Sequence, residues 1–156
     1  MTRTTSIANR LREVLLHGKW IANTNCKEQL LSINREQATQ QIGNLNTIAL
    51  LTYHLNYYLA GLLPVFNGGT LDIHDKYSFD LPPIVTDNDW QQLVNDFLHN
   101  AEQLAQQVEQ MEDHQLDQPF VEERYGTYER NIEGVIEHCY YHLGQITLLK
   151  KMVTGS

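Results

Sequence analysis

The sequence predicts an all-α protein, a four-helix bundle with short extra helices. Three observations lead there. Apolar residues recur at helical spacing in four long stretches, and nowhere does a period of two persist long enough for a strand. Several of the helical stretches also open on an Asn or Thr with a Glu, Gln or Asp three residues on, the pattern of a capped N-terminus. Four apolar stripes are buried together most simply as a bundle, here read as one domain over residues 1–156.

The first long helix is expected over Ser6–His17, where Ile7, Ala8, Leu11, Val14 and Leu15 share a stripe and Gly18 stops it. The Trp20–Asn25 segment reads as irregular. Asn25 with Glu28 opens a short helix through Ile33, and Asn34 with Gln37 opens another that closes near Gly43. The second long helix is expected from Asn44–Asn46, with Asn46 as cap, to Gly61–Leu63 before Pro64. Ile48, Leu51, Leu55, Tyr58, Leu59 and Leu62 form its stripe. This helix is apolar around most of its circumference, so neighbouring segments or a second subunit must cover it, and a homodimer is expected.

Residues 64–86 form a long connection holding three of the four prolines. Its Tyr77 and Phe79 indicate that part of it packs. Thr86 with Asp89 caps the third long helix, whose stripe runs from Trp90 to Met111. The fourth spans Thr127 to Lys150, with Ile132, Val135, Ile136, Cys139, Leu143, Ile146 and Leu149 inward and Arg130, Glu133, Glu137 and Lys151 opposite.

His138 and His142 lie four residues apart on that helix, so both rings leave one face. On a helical wheel they are about 40° apart, on the shoulder of a stripe centred roughly 100° from His138. His54 holds the same relation to its own stripe. Three imidazoles at matching shoulders suit one divalent ion that keeps an open position, whether zinc, nickel, copper or iron. The competing reading makes each a core histidine satisfied by a carbonyl. Neither a di-iron Glu-x-x-His pattern nor a His-Glu-x-x-His pattern is present. His17, His74, His99 and His114 are assigned to surface or loop.

The segment Asn131-Ile-Glu-Gly-Val-Ile-Glu-His138-Cys-Tyr-Tyr-His142-Leu-Gly-Gln-Ile146 resembles the last helix of the DinB-like superfamily, whose hallmark is His-x-x-x-His followed by x-Gly-Gln-Ile. Leu51-Thr-Tyr-His54 resembles that family's first metal histidine. The resemblance implies an up-up-down-down four-helix bundle, commonly a dimer, with one divalent metal on His54, His138 and His142. It also implies a possible role as a thiol S-transferase using a low-molecular-weight thiol of the bacillithiol kind on a small-molecule substrate. Gly144 fits a close helix approach and Gln145 a support to a ligand. Tyr53, Tyr57, Tyr58, Tyr140 and Tyr141 flank the site in sequence, for packing or for substrate. No cationic pocket for a thiol's carboxylates is evident. A non-catalytic metal-binding stress protein and a metal-dependent hydrolase are the alternatives, the latter without an obvious carboxylate base because Glu137 points about 100° from His138.

The net charge of −8 and the lack of any basic cluster beyond Lys150–Lys151 argue against nucleic acid as a partner. No signal-like or membrane-spanning run is read, because Thr52, His54 and Asn56 interrupt the longest apolar region. A cytoplasmic protein with Cys26 and Cys139 as reduced structural thiols is expected.

Overall fold

The computed structural model describes residues 1–155. Its helices are α1 (Arg3–Leu15), α2 (Cys26–Leu31), α3 (Arg35–Thr39), α4 (Ile48–Phe66), α5 (Asp87–Glu109) and α6 (Tyr128–Thr154). Short 3-10 turns stand at Asp75–Tyr77, Asp113–Asp117 and Glu123–Tyr125. Among the described residues there is no strand, only an isolated bridge between Pro119 and Thr127.

Side-chain caps decide where the helices start. Thr2 accepts from the Thr5 amide, so α1 begins three residues before the expected Ser6. Asp113 reaches the same end from across the fold, accepting from the amides of Arg3 at 3.1 Å and Thr4 at 3.0 Å, where a carboxylate meets the positive end of the helix dipole. Beyond α1 the chain doubles back so closely that a Cβ at Gly18 would collide with Glu13. The expected boxes at Asn34/Gln37 and Thr86/Asp89 are both formed in full. Each such cap contributes on the order of 1 kcal/mol.

Two ends of α4 differ from expectation. Thr47, not Asn46, is the cap, accepting from the Leu50 amide at 3.1 Å. The helix also continues through Pro64 to Phe66. A proline in the last turn removes one amide donor only, and the Asn67 and Gly69 amides close that end on the carbonyls of Leu63 and Pro64. α5 ends at Glu109, two residues short of Met111, while α6 overruns Lys150 and stops at Gly155, which takes the left-handed conformation at φ 72°.

α1 and α4 each pack on both α5 and α6, so the four long helices ring one core. Phe97, Leu11, Leu55, Leu59, Leu104, Ile136 and Leu143 are fully buried there, and truncating any of the leucines to alanine would cost about 2–5 kcal/mol. α4 is the one described helix long and apolar enough to cross a membrane by length and composition, and half of that stretch is buried in this fold. Its outer side is covered from the 64–86 connection, where Leu71, Ile73, Leu81 and Ile84 pack on the core. Ile73 rests directly on Gly61, where a Cβ would come within 2.5 Å of the Ile73 side chain.

Candidate metal centre

α4 and α6 meet along their polar shoulders, and three imidazoles converge there. His138 Nε2 lies 3.1 Å from His54 Nε2 and 3.0 Å from His142 Nε2. His54 and His142 are buried at 6% exposure each, while His138 is half-buried. One ring nitrogen from each lies within 4.8 Å of the others, and the three could hold a metal ion. The sequence-stated trio is therefore brought together, whereas His17, His74, His99 and His114 are all exposed.

Hydrogen bonding sets the tautomers. His142 Nδ1 lies 2.7 Å from Gln145 Oε1, an acceptor, so Nδ1 carries the proton and Nε2 presents a lone pair. Helical spacing makes this bond possible, because residues three apart share a face. With His142 Nε2 bare, a single proton on His138 Nε2 cannot serve both close nitrogen neighbours as a linear donor. His54 Nδ1 is buried with no hydrogen-bond partner. Three neutral rings alone thus leave the cluster undersatisfied.

A central cation would take the lone pairs of the three converging Nε2 atoms. Bonds of 2.0–2.1 Å in a tetrahedral arrangement put ligand nitrogens about 3.3 Å apart, close to the spacing seen. The electrostatics agree. Burial, then the neighbouring His142 and His138, push His54 down to about 4. Burial and His142 lower His138, and burial lowers His142 against the opposing bond to Gln145. All three rings are held neutral, the state in which a nitrogen can ligate.

Aromatic groups frame the cluster. Phe79 stacks on the His54 ring at 4.1 Å between centroids, nearly parallel. Tyr58 meets both His54 and His138 edge-on, and its hydroxyl donates to Asp75 at 2.6 Å. Tyr141 stands edge-on to His142. Tyr57 and Tyr140 instead tie down backbone, at His74 and at Trp20. Phe79 was visible in sequence only as an aromatic in a loop, with no periodicity to aim it.

On its open side His138 faces a cavity of about 490 Å³ walled by Leu55, Leu59, Leu62 and Val135. Arg130 also lines it, although the helical wheel put that residue opposite the core. The long side chain folds along α6, held by Glu137 at 3.3 Å. Gly144 corrects a second expectation. It is exposed and a Cβ there would meet nothing within 4 Å, so no helix approaches it in this chain. Cys26 and Cys139 are free and buried, and burial pushes Cys26 up to about 12, so both are inert thiols.

No curated protein and no solved structure matches the chain. A family model does, over residues 27–146, from α2 through His142 and Gln145. That span holds all three clustered histidines and most of the 156 residues, and by it the chain belongs to the DinB superfamily.

Proposed function

We propose that His54, His138 and His142 bind one divalent metal ion through their Nε2 atoms, and that the site activates a low-molecular-weight thiol for transfer to an electrophilic small molecule. The convergence of three neutral imidazole nitrogens beside an apolar cavity carries this reading. A bound divalent ion would supply the Lewis acidity that lowers the pKa of a coordinating thiol.

The chain's own residues do the rest. Gln145 keeps the His142 proton on Nδ1 and so keeps Nε2 available. Phe79 and Tyr58 pack the outer faces of the rings and limit their rotation. The leucine walls make much of the His138 side apolar, which suits a soft thiol nucleophile better than water. Glu137, the acid nearest in sequence to His138, leaves the helix about 100° away from it and does not serve as a base for water.

The wider reading is an up-up-down-down four-helix bundle, one domain, cytoplasmic and homodimeric. Tyr141, Leu148 and Met152 supply an exposed apolar stripe on α6, with open Gly144 between them, as a face for a second copy. The activity is tested by incubating the protein with several low-molecular-weight thiols and a chromogenic electrophile, with and without added metal. Turnover requiring both thiol and metal, and lost in His138→Ala, is expected. Turnover indifferent to metal would refute the proposal.

A further inference from the structure

The cavity beside His138 has one chemical feature that its apolar walls do not explain. Arg130 stands at an exposed position on α6 and its side chain stays more than half exposed, yet it folds back along the helix to line the cavity. Gly134 locates it. A Cβ built at Gly134 meets only Arg130 Nη1, at 3.9 Å. The guanidinium therefore lies level with Gly134, four residues before His138, which is about 6 Å along a helix axis. Gly134 also leaves the floor of the cavity open between the two groups.

Arg130 is not locked there. Its bonds to Glu137 are 3.3 Å each, at the long end of the range, and both side chains are more than half exposed. Such a pair exchanges readily for a carboxylate that arrives partly desolvated. An adjoining cavity of about 660 Å³ shares Tyr58, Leu62, Tyr125 and Asn131 with this one and adds a second cation, Lys76. Its one acid, Asp75, already accepts from Tyr58. Against a net charge of −8, two cations lining adjoining cavities are a local exception.

We propose that the cavity selects a carboxylate-bearing substrate, with Arg130 taking the carboxylate and the leucine walls taking an apolar body that extends toward His138. The guanidinium fork matches a carboxylate in two parallel hydrogen bonds. The rise of about 6 Å along the helix from Gly134 to His138 points to a short acid rather than a long one. This rests on the cavity being the substrate face of the proposed metal centre, but the carboxylate site itself does not need the metal.

The test uses hexanoate and hexanamide, equal in length and neither a thiol, titrated into the protein at pH 8 with the Gly134 amide followed by NMR. Wild type is expected to prefer the acid by about tenfold or more, the contribution of charged hydrogen bonds. In Arg130→Gln the preference should collapse toward unity while the spectrum stays folded, since the side chain is exposed. In His138→Ala, which removes a proposed metal ligand, the preference should remain. A wild type without acid preference, or a preference that persists in Arg130→Gln, overturns the proposal. Persistence in Arg130→Gln with loss in His138→Ala would place the carboxylate on the metal, sinking this inference while leaving the metal centre standing.

Discussion

Two groups of histidines in this chain follow opposite rules. His74 and His114 sit at the surface, each beside a carboxylate, with Asp72 at 2.9 Å and Glu112 at 3.2 Å. Each imidazole there has a carboxylate oxygen as its close partner. His54, His138 and His142 instead lie against one another with no carboxylate in hydrogen-bonding contact, and burial drives each toward the neutral form. The difference arises from where the helices put them. A shoulder between α4 and α6 is dry enough to suppress the charge and open enough on the His138 side to admit a ligand. The comparison teaches that a cluster of uncharged lone pairs, rather than histidine content, marks the site.

The largest effect that would break this comparison is stabilisation by metal. Free zinc at 100-fold above its dissociation constant should add about 2.7 kcal/mol to the wild type, raising Tm by roughly 5–10 °C in a chain of this size. His142→Ala should lose that increment, and His74→Ala should keep it. A scanning-calorimetry rise of equal size in His142→Ala would erase the distinction between the two groups.

A smaller effect should follow from Gln145→Ala. Removing the acceptor at His142 Nδ1 frees the tautomer, and losses of this kind weaken metal affinity by about 10–100-fold. Competition against a chromogenic chelator reads this directly. Unchanged affinity would mean that Gln145 does not set the ring's state.

Acid sharpens the contrast without metal. Because the folded His54 sits near 4 and an unfolded histidine near 6.5, the unfolded state binds protons first as pH falls. Stability of the metal-free protein should be full above about 6.5 and decline through the window down to about 4. His138 and His142 shift in the same direction and add to it. The paired carboxylates Asp89, Asp113 and Asp117, lowered from 3.8, act below that window. Urea midpoints flat between pH 7 and 5 would contradict the assignment. The smallest effects belong to His74→Ala and His114→Ala, expected to change stability by no more than about 0.5 kcal/mol.

Much of the fold was legible because its determinants are local. Capping boxes at Asn34 and Thr86 announce helix starts from four residues alone, and the stripe on α5 needs only its own spacing. The boundaries that moved had rival local solutions. Asn46 and Thr47 can both cap α4, and Pro64 ends a helix or rides in its last turn with equal backbone logic. The histidine trio was legible because two members share a helix face and the third holds a matching shoulder. Phe79 and Arg130 were not. A loop aromatic carries no period, and a wheel places the Cα of an arginine but not the end of a long flexible side chain.

The central claim is that the buried cluster, and not histidine in general, holds one metal per chain. Elemental analysis after reloading with zinc and then nickel, on wild type, His138→Ala and His114→Ala, tests it most directly. The account predicts close to one equivalent in wild type and in His114→Ala, and near none in His138→Ala, with all three folded. Equal metal retention in the three proteins would contradict it and leave His54, His138 and His142 as core histidines.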